Sequence, residues 1–308
     1  MLAARAAHTR PAAYALSLLV ASVTAGCALF GGEPPDPPAS TRKEVIFAVT
    51  AADQLVSFNA GAPGKLLTSR PLIGLRSGEE ILGIDYRVAK GVLYALGRTG
   101  SESRLMTIDT GTGRVAQVGT GSIQVPLNGS EFGFDFNPTV DRIRVVSDTG
   151  QNLRLHPDTG AVVDADPNAA GLQIDGALAY DASDKNAGRR PSIVGAGYTY
   201  NRTNEKITTN YAIDAFAGTL VVQGSLEGAT PAVSPNTGRL FTVGPLGAGA
   251  IGRAAFDIAD VSGAAFVAIT RPGASVSRFY LVDLDTGRTT FLGRIGGSEA
   301  IRGISFQP

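Results

Sequence analysis

The sequence Gly133-Phe134-Asp135-Phe136 indicates how the chain folds, because close variants of it recur along the chain. Each variant begins with Gly or Ala, has an apolar second residue and ends with an aromatic residue or Ile. A small residue at a fixed position indicates crowding, as where inner strands converge on an axis. The other copies are Gly83-Ile84-Asp85-Tyr86, Ala177-Leu178-Ala179-Tyr180, Ala255-Phe256-Asp257-Ile258 and Gly303-Ile304-Ser305-Phe306.

The copies begin at intervals of 50, 44, 78 and 48 residues, and further short strand patterns follow most of them. Turns such as Asp109-Thr110-Gly111 separate these strands and suit hairpin geometry. Four short antiparallel strands in each repeat, with no helical periodicity between them, are typical of a β-propeller blade. We therefore predict an all-β fold, a β-propeller.

The two ends of the chain are predicted to share one blade. The last copy stops at Pro308 after a single strand, and apolar segments at 45–49, 54–58 and 65–67 supply the missing strands. A ring closed in this way leaves no exposed inner edge strand.

The 78-residue interval leaves the number of blades open. The segment 235–243 resembles a junction between a first and a second strand, which would make six blades. Only residues 244–254 then remain for two further strands, so we favour five blades with a long insertion in the fourth.

Composition excludes several classes of protein. The chain of 308 residues has 27 basic and 27 acidic side chains, and a formal charge of zero argues against a nucleic-acid partner. A single Cys excludes a disulfide framework and a Cys-based zinc site. The hydrophobic content of 44% excludes a disordered chain.

The first 26 residues have the pattern of a signal peptide. Basic residues precede an apolar run at 12–23, which is too short to span a membrane comfortably. The sequence Thr24-Ala25-Gly26-Cys27 resembles the bacterial lipobox, so we predict cleavage before Cys27 and lipidation of its thiol. An ordinary secretory signal with an incidental Cys is the alternative.

The predicted lipid anchor on Cys27 attaches the protein to a membrane of the bacterial cell envelope. Ala28 follows the Cys, which by resemblance favours the outer membrane in a Gram-negative host. The Pro-rich residues 27–43 are predicted to form a tether, and residues 44–308 a single propeller domain that is a monomer.

The hairpin from Asp141 to His156 carries several arginines. Alternation places Arg142 and Arg144 on one face of the first strand, and Asn152 and Arg154 on one face of the second. These guanidinium groups could bind a carboxylate, a phosphate or an acidic glycan. The favoured alternative is a structural network in which they pair with Asp135 or Asp141.

The third position of the repeated stretch holds Asp85, Asp135 and Asp257, with Ala179 and Ser305 completing the predicted ring. Three carboxylates near a central channel could bind a cation or act as acid and base. They could equally accept hydrogen bonds from backbone amides or pair with the arginines, and we predict no bound metal.

Several runs resemble the bacterial domain-of-unknown-function family 4394. They are Asn137–Ser147 with Gln151–Leu155, Gly83–Tyr86 and Gly238–Gly247. The resemblance covers nearly all of residues 44–308 and implies an exported, propeller-like domain without an assigned activity. His156 departs from the family pattern, in which Asn precedes Pro-Asp-Thr-Gly. No catalytic residues can be carried over.

Catalytic signals are sparse. After cleavage His156 is the only His, and no Gly-x-Ser-x-Gly motif accompanies it. We predict a non-catalytic binding or scaffolding module for a protein, peptide or glycan, with no cofactor. The alternative is a hydrolase or lyase that acts on an acidic sugar or lactone. A pocket that holds the channel carboxylates beside an unpaired Arg144 or Arg154 would favour the enzyme.

Overall fold

Short strands make up nearly all of the regular structure in residues 35–308, the part of the chain that the computed structural model describes. Two 3-10 helices, Val88–Lys90 and Pro235–Thr237, also occur in this range, and neither is long or apolar enough to cross a membrane. In chain order the strands are β1 (Val45–Thr50), β2 (Gln54–Asn59), β3 (Leu66–Pro71), β4 (Glu80–Arg87), β5 (Val92–Thr99), β6 (Glu102–Ile108), β7 (Val115–Gln117), β8 (Phe132–Asn137), β9 (Arg142–Ser147), β10 (Asn152–Leu155), β11 (Ala179–Tyr180), β12 (Ile193–Tyr198), β13 (Asn210–Asp214), β14 (Thr219–Gln223), β15 (Arg239–Pro245), β16 (Arg253–Ile258), β17 (Ala265–Thr270), β18 (Arg278–Val282), β19 (Thr289–Arg294) and β20 (Ile301–Phe306).

The strands form five sheets, which are the blades of a β-propeller. Blade 1 contains β20, β1, β2 and β3, blade 2 contains β4 to β7, blade 3 contains β8 to β10, blade 4 contains β11 to β15, and blade 5 contains β16 to β19. The prediction of five blades is confirmed. The six-blade alternative is wrong, because the segment 235–243 leads into β15, which pairs with β14 inside blade 4.

Blade 1 combines the first three strands and the last strand of the propeller domain, as predicted. Strand β20 pairs with β1, with Phe306 opposite Ile46 and Gly303 opposite Val49. The inner strands β4, β8, β12, β16 and β20 pack against one another in this order, and β20 packs against β4. The contact between β20 and β4 closes the ring.

The inner strands lie close together because their first repeated position is small. A Cβ added at Gly83 would lie 2.6 Å from the Cβ of Phe134, and one at Gly303 would lie 2.8 Å from the backbone nitrogen of Ile84. The small residue of one inner strand thus packs on the apolar second residue of the next. At this level the axis is almost closed, with about 10 Å³ of space between the five inner strands.

The third copy of the repeated stretch, residues 177–180, does not lie on an inner strand, so this part of the prediction is wrong. Ala179 and Tyr180 form β11, which runs parallel to β15 at the outer edge of blade 4. The inner strand of that blade is β12, where Gly195-Ala196-Gly197-Tyr198 occupies the four positions. Both segments have small residues at the first and third positions and a buried Tyr at the fourth, so this pattern alone could not separate an inner from an outer strand.

Two further features depart from a uniform repeat. Blade 3 has three strands, and a single bridge between Leu155 and Val162 takes the place of its fourth. Residues 36–44 are irregular and contact the propeller, where Ser40 donates its backbone N–H to the carbonyl of Gly61 at 2.8 Å. The predicted signal peptide (1–26) and Cys27 lie outside the described residues.

Candidate functional site

The third-position side chains connect neighbouring blades. Asp85, Asp135 and Asp257 each accept a hydrogen bond from the backbone N–H of the fourth position in the next inner strand. The nitrogen-to-oxygen distances are 2.7 Å for Phe136 to Asp85, 2.9 Å for Tyr198 to Asp135 and 2.9 Å for Phe306 to Asp257. The hydroxyl of Ser305 accepts from the N–H of Tyr86 in the same way, at 3.0 Å. Four of the five boundaries between blades therefore carry this hydrogen bond.

The boundary between β12 and β16 lacks such a hydrogen bond. Gly197, and not the predicted Ala179, occupies the third position in blade 4. Gly197 has no side chain to accept from the N–H of Ile258, which donates to the carboxylate of the preceding Asp257 at 2.6 Å, as the N–H of Tyr86 also does to Asp85 at 2.8 Å.

Three buried carboxylates converge on the axis. Asp85, Asp135 and Asp257 are 6%, 4% and 5% exposed, and each offers a carboxylate oxygen within 4.8 Å of those of the other two. The hydroxyl of Ser305 donates to Asp85 at 2.8 Å. The sequence predicted this convergence, because the three residues share one position of the repeat.

Burial and mutual repulsion make these carboxylates weak acids. Burial raises the pKa of Asp85 and Asp135 well above the ordinary range, and the neighbouring carboxylates raise both further. Burial, followed by the charge of Asp260, raises the pKa of Asp257 to about 7. Burial also raises the pKa of Asp260 to about 6. Protons are therefore held here at a pH where an ordinary Asp is ionised.

A cavity of about 260 Å³ opens over the three carboxylates, and we call it the acidic cavity. Asp260 lies in its wall, and the exposed Glu205 lies at its edge. Aromatic rings form much of the remaining lining, which includes Tyr86, Phe136, Tyr198 and Tyr200.

The one cationic side chain that lines the acidic cavity within residues 35–308 is already paired. Arg87 donates through its Nε to Asp141 at 2.8 Å, and its Nη1 lies 2.5 Å from Asp158. The charge of Arg87 is thus balanced by carboxylates other than the three on the axis.

The Arg-rich hairpin forms a separate network behind β8. Arg144 and Arg154 are opposite one another on β9 and β10, as the alternation predicted. Both donate to Asp175, at 2.6 Å from Arg144 and 2.8 Å from Arg154. Asn152 accepts from Arg144 at 2.8 Å. The predicted pairing of these arginines with Asp135 or Asp141 is wrong, because the loop before β11 brings Asp175 beside Arg144 and Arg154.

The arginines and the axial carboxylates line different cavities. Arg142, Arg144 and Arg154 lie in the wall of a second cavity, and none of the three axial Asp residues does. The combined site of carboxylates and unpaired arginines, which would have favoured an enzyme, is therefore not assembled in the described residues.

Sequence reasoning missed two acidic residues that shape these sites. Asp260 follows the inner strand β16 by two residues, and its closeness to a copy of the repeat was an available signal. Asp175 lies in an irregular segment without periodicity, so no local pattern connected it with Arg144.

A group of carboxylates with raised pKa values, at the floor of a cavity, can bind a cation or exchange a proton near neutral pH.

Comparison with known proteins places residues 54–305 in one family model, described as "Domain of unknown function (DUF4394)". No curated protein matches the chain.

Solved structures resemble the chain distantly. A provisionally named 6-phosphogluconolactonase from Bacteroides uniformis is 11% identical, with 83% of each chain covered and a TM-score of 0.40. TolB from Acinetobacter baumannii is 11% identical, with 86% of this chain and 67% of TolB covered and a TM-score of 0.44. A Lactobacillus plantarum protein is 12% identical, with 86% of this chain and all 100% of that one covered and a TM-score of 0.42.

Proposed function

The chain belongs to the domain-of-unknown-function family DUF4394, and we propose that it is a non-catalytic binding module, lipid-anchored at the bacterial cell envelope. In this proposal the acidic cavity takes a cationic group of its ligand, such as the amine of a peptide or protein side chain. The cluster of three carboxyl groups at the floor of that cavity, none of which pairs with a cationic side chain of the described residues, is the observation that carries the proposal.

Charge at the cavity floor supports a cationic ligand. Asp85, Asp135 and Asp257 repel one another, and the only lining cation among the described residues is balanced by Asp141 and Asp158. A bound ammonium group would offset this repulsion and would favour the ionised carboxylates.

The cavity walls support an organic cation. A space of about 260 Å³ is larger than a bare ion needs. The rings of Tyr86, Phe136 and Tyr198 line the space above the carboxylates. Aromatic faces attract ammonium groups and bury the attached methylene chain, each with a contribution of about 1 kcal/mol.

Binding of N-acetyl-lysine amide to the full-length chain tests this assignment, with N-acetyl-norleucine amide as the uncharged probe of similar shape. By calorimetry we expect only the lysine derivative to bind, and more weakly at pH 5 than at pH 8, because Asp257 and Asp260 take up protons in that interval. Equal binding of both probes would overturn the proposal. So would a response to calcium chloride without one to the lysine derivative.

Asp260→Asn is the informative variant, because no other described residue donates a hydrogen bond to the Asp260 side chain and the contacts between blades are left intact. We expect several-fold weaker binding of the lysine derivative. The control Glu299→Gln removes the same charge at an exposed position before β20. An equal effect of the two substitutions would show that binding of the lysine derivative depends only on the net charge of the protein and not on the position of Asp260.

The lipid anchor is proposed on the sequence around Cys27. Cys27→Ser should move the protein from the membrane fraction to the soluble fraction of cells that express it. Unchanged fractionation would refute the anchor without bearing on the acidic cavity.

A second candidate function is a hydrolase or lyase that acts on an acidic sugar or lactone. The observation in its favour is Asp257, because a carboxyl group with a pKa of about 7 suits general acid–base catalysis at neutral pH. Turnover of sugar lactones that is lost in Asp257→Asn would support it. Equal turnover by the parent and the variant would refute it.

A further inference from the structure

A second cavity of about 360 Å³ adjoins the acidic cavity and has the opposite charge. Asn137 and Tyr198 line both cavities. The side chains of Arg142, Arg144 and Arg154 line the second one, and no Asp or Glu of the described chain does. We call it the basic cavity.

The acidic residue nearest to these arginines balances only part of their charge. Asp175 is fully buried and pairs with both Arg144 and Arg154. Arg142 has no carboxylate partner among the described residues, and its Nη1 donates to the backbone carbonyl of Asp141 at 2.8 Å. Three guanidinium groups share one carboxylate, so two positive charges remain at this cavity.

Arg144 is held rigidly in the cavity wall. It is 2% exposed and donates to the hydroxyl of Tyr198, to Asn152, to Asp175 and to Asn236. Such a buried and fully oriented guanidinium group loses little conformational freedom when a ligand arrives.

Arg142 and Arg154 retain donors for a ligand. Arg154 donates to Asp175 through Nε and Nη2, and its Nη1 has no partner among the described residues. Its side chain is 18% exposed. Arg142 likewise donates only through Nη1, which leaves Nε and Nη2 without a partner in residues 35–308.

We propose that the basic cavity is a binding site for an oxoanion group, either a carboxylate or a phosphate. Planar guanidinium groups with two free N–H donors match the paired oxygens of these groups. The proposal does not depend on the acidic cavity, because the three arginines do not line that cavity and the charge and the ligand are different.

Calorimetric titration of the full-length chain with inorganic phosphate and, separately, with acetate tests the proposal and distinguishes the two sources of the oxoanion. Sodium chloride at equal ionic strength is the reference. We expect saturable binding of at least one of the two anions. Binding of neither at 10 mM, which is about the limit of weak single-group recognition, would overturn the proposal.

Arg142→Gln and Arg154→Gln locate the site. Arg142 makes hydrogen bonds only to backbone carbonyls, so we expect its substitution to leave folding intact and to weaken binding of the anion about tenfold. Arg114→Gln removes the same charge from an exposed position on the outer side of blade 2 and should leave binding unchanged. Equal losses in Arg142→Gln and Arg114→Gln would refute the assignment.

Discussion

Gly133 in β8 is a position on the inner ring where a single added methyl group would meet the backbone of the next blade. In Gly133→Ala the new Cβ would lie 2.6 Å from the backbone nitrogen of Ala196 and 2.7 Å from the carbonyl carbon of Gly195. Both distances are about 0.7 to 0.8 Å shorter than the 3.4 Å at which ordinary contact begins. The atoms concerned belong to the backbone of β12, so no side chain can rotate away.

The expected cost follows from this overlap. Inserting a methyl group into a well-packed core costs about 1–3 kcal/mol, and the upper end applies where backbone must move. Replacing Gly by Ala also restricts the unfolded chain, which returns about 0.4–1 kcal/mol. We therefore expect the free energy of unfolding to fall by about 2 kcal/mol.

Urea unfolding of the full-length chain, followed by far-UV circular dichroism, measures this change as a shift of the midpoint. The matched control is Gly121→Ala, because a Cβ at Gly121 has nothing within 4 Å. Its backbone also has no positive φ. We expect the control to unfold within about 0.5 kcal/mol of the parent. A Gly133→Ala midpoint equal to that of the control would refute the close approach of β8 and β12.

Three further predictions follow from contacts described above. Burial and Asp260 raise the folded-state pKa of Asp257 from 3.8 to about 7, so its contribution to stability is full at acidic pH and is lost as the pH rises through about 7. The free energy of unfolding should therefore fall by a few kcal/mol between pH 4 and pH 8. An equally steep profile in Asp257→Asn would contradict this. Asp175→Asn leaves Arg144 buried without its carboxylate and should lower the free energy of unfolding by about 3–5 kcal/mol, with Asp166→Asn in the exposed part of the same loop as control. Deletion of residues 301–308 removes β20 and should abolish cooperative unfolding in calorimetry, whereas a deletion variant that melts like the parent would refute the shared blade.

The repeat could be predicted from the sequence because one packing contact imposes it. Wherever Gly83, Gly133 or Gly303 meets the next inner strand, only a small residue fits, so the constraint is visible at each copy. The three Asp residues share the third position because each accepts a hydrogen bond from the backbone of the next inner strand, and their convergence could be predicted from the repeat.

Contacts between distant segments could not be predicted in this way. Asp175 reaches Arg144 from an irregular loop, and its position depends on the path of the chain between β10 and β11. The mistaken inner strand at Ala179 has a related cause. Two Ala residues and a buried Tyr at 177–180 match the small residues and the Tyr at 195–198 on the inner strand, and the pairing with β15 distinguishes the outer segment.

The near closure of the axis limits how a ligand can enter. The gap between the inner strands is about 10 Å³, roughly the room that a single water molecule needs. In the proposed binding mode a polymer would therefore not pass through the ring, and a chain end or a side branch would enter the acidic cavity. The proposed ligand would then enter and leave by the same opening.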